Sequence, residues 1–168
     1  MQDAPFIRWF ETLQVDDVPL VGGKNASLGE MIQTLREADI KVPDGFATTA
    51  EAYWQYMETN ELHDDIASLL DQYHDGTRSL EEIGSAIRAL FLQGSFPDQV
   101  AEEVRRAYHE LGRRYEVDNL DVAVRSSATA EDLPSASFAG QQETFLNISG
   151  EEMLLDICRR CYASLFTD

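Results

Sequence analysis

A chain of 168 residues with 43% hydrophobic and 26% charged residues has the size and composition of one domain, or two small subdomains, with a buried core. Its 31 acidic residues against 13 Lys plus Arg give a formal net charge of -18, which repels phosphate backbones and excludes nucleic acid as a partner, although a few local cations can still hold a small anion. The N-terminus MQDAPFIRWFETLQ has no basic stretch leading into a long apolar run, and no run of about 18 apolar residues occurs anywhere, so neither a signal peptide nor a membrane span is expected.

In chain order, residues 5–21 read as a strand-like lead-in, with Val15, Val18, Leu20 and Val21 around Pro19. GGKN is a turn. ASLGEMIQTL then places Leu28, Met31, Ile32 and Leu35 at the i, i+3, i+4, i+7 spacing of an amphipathic helix. IKVPDGFA, broken by Pro43 and Gly45, predicts a short strand with a turn. Thr48 and Glu51 match a capping box ahead of a helix through Met57. Leu62, Ile66, Leu69, Leu70 and Tyr73 mark a second helix. Ser79 and Glu82 form another capping box before Leu80, Ile83, Ile87 and Leu90. Pro97 and Asp98 open a long helix with Val100, Val104, Tyr108 and Leu111 on one face. The pattern then changes: Leu120, Val122 and Val124 alternate as a strand, a loop covers 126–141, and Thr144, Leu146 and Ile148 alternate again. Ser149 and Glu152 suggest a third capping box for a last helix carrying Leu154, Ile157, Cys158, Cys161 and Leu165. The sum is an α+β domain, mainly helical over about 50–116, with 1–48 and 117–168 supplying a small sheet and flanking helices. The last residues, CYASLFTD, are helical and apolar, which reads as a truncated chain.

Three stretches could carry chemistry. In GGKNASLGE the glycines allow a tight turn, and Lys24 stands at a helix start, where free N–H groups and the positive end of the dipole favour anions. Lys24 therefore reads either as a phosphate contact or as a solvent lysine; the spacing is not that of a P-loop. Arg125 ends a strand on the face away from the apolar residues. Its planar fork suits phosphate, and an ion pair with Glu131 or Asp132 serves equally well as an explanation. The loop beyond it holds Ser126, Ser127, Thr129, Ser135 and Ser137, which commonly do no more than bond the local backbone. A loop of this length inside a compact domain is uncommon and often functional, and Gly140 before the second strand could let backbone N–H groups lie against phosphate oxygens. Gln141, Gln142, Glu143 and Thr144 add polar groups at the strand start. The histidines His63, His74 and His109 lack metal spacing and any partner constellation. Cys158 and Cys161 form a CxxC within a helical pattern and read as two reduced helix-core thiols, which points to the cytoplasm. Trp9, Trp54 and Phe46 are expected in the core.

Taken together, VGGKNASLGEM, VPDGFATTAEAY and VAVRSSATAEDLPSASFAGQQETFLN resemble the N-terminal nucleotide-binding region of the phosphoenolpyruvate synthase and pyruvate phosphate dikinase family, from about Phe6 to Asp168. Rifampicin phosphotransferases are similar as well. FATTAEAY and QQETFLN favour the synthase branch, and the methionine-rich loop of the dikinases is replaced here by FAGQQET. The resemblance implies an ATP-grasp-type subdomain with a helical insert, holding Mg-ATP. It carries the phosphate-contacting lysine and arginine onto Lys24 and Arg125, and the loop over the phosphates onto Gly140, Thr144 and Phe145, the last from the resemblance alone. It implies ATP and Mg2+ as cofactors, transfer through a histidine to pyruvate, and a homodimer for the full-length protein. The phosphohistidine segment, the pyruvate-binding barrel and the metal-binding carboxylates have no match in these residues, so this chain alone is expected to be a partial ATP site with no metal ligands. Within the same resemblance, an antibiotic phosphotransferase and a non-catalytic nucleotide-binding domain are the other readings.

Overall fold

The computed structural model describes residues 5–129 and 143–166. Strand β1 (Ile7–Trp9) pairs antiparallel with β2 (Phe46–Thr48), Ile7 facing Thr48 and Trp9 facing Phe46. The segment between them contains no strand at Val15–Val21, contrary to the expected lead-in. Two 3-10 turns, Phe10–Thr12 and Val15–Asp17, lead into a short helix α1 (Val18–Val21) and then α2 (Gly23–Glu37). Local chemistry explains the difference. Gln14 and Asp17 cap each other reciprocally, and the Gln14 N–H donates to the Asp17 carboxylate at 2.8 Å. Pro19 falls in the first turn of α1, where its missing N–H costs nothing. The buried face of α2 follows its apolar spacing in part: Leu28 and Leu35 are half-buried. Ala26, Gly29 and Ile32 are buried, whereas Met31 is exposed. Gly29 marks the closest approach: a Cβ there would lie 2.5 Å from the Leu13 Cβ and 2.8 Å from the Leu13 carbonyl. Close packing there admits small residues beside Ile32 and leaves Met31 outside.

The middle of the chain is helical: α3 (Ala50–Thr59), α4 (Leu62–His74), α5 (Leu80–Gln93) and α6 (Asp98–Tyr115). Thr49, not Thr48, caps α3, because Thr48 is committed to β2; the buried Thr49 hydroxyl accepts from the Ala52 N–H and donates to the Pro5 carbonyl at 2.8 Å. The Ser79–Glu82 capping box forms in both directions. One core cluster gathers Tyr56, Leu62, Ile66, Ile83, Ile87 and Phe91. A second joins the α6 face of Val100, Val104 and Tyr108 to Ile7, Ile148 and Leu154. Trp9 and Phe46 pack against that second core edge to face, ring centroids 5.7 Å apart. Trp54 instead lies at the surface, 50% exposed, its ring stacked on His63 at 5.9 Å, so it is not the core residue expected. Arg114 of α6 covers the Trp9 ring, 3.8 Å from its centroid, and bonds Asp44 and Glu11; Glu11 is also paired with Arg36 at 2.8 Å.

Beyond α6, strand β3 (Val122–Arg125) pairs antiparallel with β4 (Thr144–Ile148), followed by helix α7 (Glu151–Ala163). Among the described residues the strands form two separate two-stranded sheets rather than the one small sheet expected. The β3–β4 register slips: Val124 faces Phe145 and Arg125 faces Thr144, but Val122 faces Ile148. One extra residue on β4 makes a bulge, and Asn147 adopts a positive φ of 57°. The expected Thr144, Leu146, Ile148 alternation is therefore lost. Phe145 and Ile148 turn toward the core, and Leu146 is 66% exposed. The Ser149–Glu152 capping box does not form either. Gly150 caps α7 with φ 87°, and the Ser149 hydroxyl donates to the Asn119 carbonyl at 2.8 Å. Tyr108 clamps this region: its hydroxyl donates to the Leu120 carbonyl at 2.8 Å and accepts from the Gly150 N–H at 2.9 Å. No helix among the described residues is long and apolar enough to cross a membrane.

Candidate anion site

The GGK turn and the end of β3, a hundred residues apart in sequence, meet through their backbones. Gly22 ends α1 and caps α2 with φ 82° and ψ 158°, a conformation essentially restricted to glycine. A Cβ on Gly22 would lie 2.3 Å from the Ser127 Oγ and 2.9 Å from the Ala128 carbonyl oxygen, and the Gly23 N–H donates to that same oxygen at 3.4 Å. Lys24 follows directly in the first turn of α2, half-buried. On the other side of the contact, Ser126 is buried and its N–H donates to the Glu143 carbonyl at 3.4 Å. Arg125, the last residue of β3, is exposed on the side of the strand away from the half-buried Val124.

The electrostatics of α2 set it apart in so acidic a chain. Each of the five later helices has a carboxylate in its first turn: Glu51 in α3, Asp64 and Asp65 in α4, Glu81 and Glu82 in α5, Asp98 in α6, Glu151 and Glu152 in α7. Those carboxylates neutralise the partial positive charge at a helix N-terminus. The first turn of α2 has none, carries Lys24 instead, and receives no side-chain cap from Gly22. One N–H group of this positive pole, that of Gly23, is taken by the Ala128 carbonyl.

Of the residues that the sequence singles out, Lys24, Arg125 and Thr144 lie on segments brought together here, with Thr144 directly across the ladder from Arg125. Phe145 faces Val124 and packs partly against the core. Gly140 lies outside the described residues, as do Glu131 and Asp132, the alternative partners of Arg125; among the described residues no ion pair engages Arg125. The close fit of Gly22 against Ser127 is not visible in the sequence, where the only trace of it is the doubled glycine. The Ser127 Oγ is buried in this contact without a hydrogen-bond partner among the described residues.

The remaining candidates for chemistry are held in structural roles. Cys161 is buried and Cys158 partly so, and burial pushes both thiols up to about 12, so neither is a ready thiolate. The His109 ring sits 2.9 Å from the Glu151 carboxylate, tying α6 to α7. Among the described residues no three His, Cys, Asp or Glu side chains gather as a metal cage.

The chain resembles known proteins over most of its length. Residues 18–168 match the family described as pyruvate phosphate dikinase, AMP/ATP-binding domain. The chain is 45% identical over 163 residues to a phosphoenolpyruvate synthase of Aquifex aeolicus, covering 96% of this chain and 19% of that protein. It is 49% identical over 164 residues to one of Helicobacter pylori, covering 97% and 20%, and 50% identical over 159 residues to one of Pseudomonas aeruginosa, covering 94% and 20%. The chain thus spans about a fifth of the length of these relatives. With a matching domain across most of its residues and the glycine turn and arginine strand set side by side, the chain belongs to the pyruvate phosphate dikinase AMP/ATP-binding domain family.

Proposed function

We propose that this chain forms one wall of an ATP site of ATP-grasp type, in an enzyme that converts pyruvate, ATP and water to phosphoenolpyruvate, AMP and phosphate. Lys24 and Arg125 hold the nucleotide phosphates, Arg125 through its two-pronged guanidinium, and Gly140, Thr144 and Phe145 border the nucleotide. The observation that supports this most is the backbone contact between Gly22–Gly23 and Ser127–Ala128, which sets the lysine and arginine segments beside the N-terminus of α2, whose first turn holds no carboxylate. Phosphoryl transfer asks mainly for positioning and neutralisation of charge, and two cations with a helix pole supply both. Mg2+ enters this reading as the counterion on the triphosphate, with its protein ligands expected from the rest of a longer enzyme. The phosphate-carrying histidine, the pyruvate site and any subunit contact of a homodimer likewise belong to parts of a longer cytoplasmic enzyme.

Calorimetric titration of ATP, with and without Mg2+, into the wild-type chain and into Lys24→Ala and Arg125→Ala tests the reading. Loss of one charge-assisted phosphate contact costs about 1.5–3 kcal/mol, roughly a 10- to 150-fold rise in Kd. Unchanged affinity in both variants would overturn the assignment. The isolated chain is expected to form no phosphoenolpyruvate and to leave ATP intact; substantial turnover would refute the division of labour between this chain and the rest of the enzyme.

A further inference from the structure

The two proposed phosphate cations are placed symmetrically about a single contact. Lys24 is two residues after Gly22, and Arg125 is two residues before Ser127. No other contact described between the two segments is as close, and it has no slack: the space a Cβ would need at Gly22 is already filled by the Ser127 Oγ and the Ala128 carbonyl. Nor can Gly22 yield by changing its own backbone without turning the start of α2, because its φ of 82° is what reverses the chain between α1 and α2. On the other side, the buried Ser127 Oγ has no hydrogen-bond partner among the described residues, and it meets Gly22 as steric bulk.

We propose that Gly22 and Ser127 are positioning residues: their contact is a steric spacer that sets the segment of Lys24 against the segment of Arg125 in the polyphosphate site. The inference rests on the ATP reading above. It assigns the doubled glycine to contact with the chain's own strand end rather than with the ligand. A side chain at Gly22, or a larger one at residue 127, would push the two segments apart without touching either cation.

The test compares binding of ATP and of inorganic tripolyphosphate with fold stability in the full 168-residue chain. Gly22→Ala forces the contact from one side; Ser127→Thr adds a methyl group from the other and keeps an ordinary backbone, so it supplies the same push should Gly22→Ala not fold. Gly29→Ala is the control. It imposes an equally tight clash on the same helix, against Leu13, away from the cations. Displacement of a positioned group by about an ångström costs up to about a hundredfold, so Kd for both ligands is expected to rise at least about tenfold in Gly22→Ala and Ser127→Thr at a temperature where each is folded. Gly29→Ala is expected to lower the melting temperature while leaving Kd within about twofold of wild type, as an independent distant site should. Wild-type affinity in folded Gly22→Ala and Ser127→Thr would overturn the spacer, as would an equal loss in Gly29→Ala. A wild-type chain that binds neither ligand, or whose Kd ignores both Lys24→Ala and Arg125→Ala, would bring down the ATP reading and the spacer with it. Sensitivity to those two substitutions but indifference to Gly22→Ala and Ser127→Thr would defeat the spacer alone.

Discussion

Replacing Tyr108 by phenylalanine isolates the clamp that holds the β3–β4 hairpin against α6. The ring is buried and stays in place, so no cavity opens, and only the hydroxyl is lost. That hydroxyl serves two backbone groups, the Leu120 carbonyl before β3 and the Gly150 N–H at the start of α7. At about 0.5–1.5 kcal/mol net for each hydrogen bond, the substitution should cost about 1–3 kcal/mol. Tyr56→Phe provides the internal scale, since the buried Tyr56 hydroxyl makes one such bond, to the Phe91 carbonyl at 2.6 Å. In urea denaturation, with a slope of about 2 kcal/mol per molar, the Tyr108→Phe midpoint should fall by about 0.5–1.5 M at unchanged slope, and by more than that of Tyr56→Phe. Amide exchange should quicken in β3 and in the first turn of α7 before it does in α4 and α5. A loss below about 0.5 kcal/mol would refute the argument, because it would mean that water replaces both bonds without penalty.

Acid should expose the ion pairs around Glu11. The hydrogen bond from Arg36 holds the Glu11 carboxyl below its ordinary 4.5, with Arg114 helping and partial burial opposing. A depressed carboxylate stabilises the fold above its unfolded value and ceases to do so as the pH falls through its folded one. The melting temperature of wild type should therefore exceed that of Glu11→Gln near neutral pH, and the gap should close progressively below 4.5; a gap that persists in strong acid would show that ionisation is not its source. For the cysteines, burial that raises both thiols to about 12 predicts that alkylation of the native chain is slower than that of the urea-unfolded chain by at least about tenfold. Equal rates would contradict the burial of Cys161.

What was legible in the sequence was what depends on near neighbours. The Ser79–Glu82 box and the α6 face of Val100, Val104, Tyr108 and Leu111 follow from spacing alone, and both are present. What was not legible depends on a partner distant in the chain. Val15 to Val21 looks extended until Gln14 and Asp17 are seen to cap each other. In α2, Gly29 joins the buried face against Leu13 while Met31 is left outside, a contact no periodicity reports. Thr48 and Ser149 are sound capping residues whose groups are engaged elsewhere, in β2 and with Asn119. The bulge at Asn147 breaks the alternation of β4, so that Phe145 faces inward with Ile148 and Leu146 does not. At the candidate site, the residue types at Lys24 and Arg125 announced an affinity for anions. The meeting of their two segments comes from a glycine that faces a serine far along the chain, and nothing in a single sequence advertises that match.

That glycine–serine fit has a consequence for how such domains can be recombined. A chimera that imports the glycine turn from one relative and keeps the strand end of another swaps half of a matched surface, and the mismatch falls where the two halves touch. Exchanges made by the pair should be tolerated where single grafts are not, so the two short segments form one heritable module despite the helical insert between them.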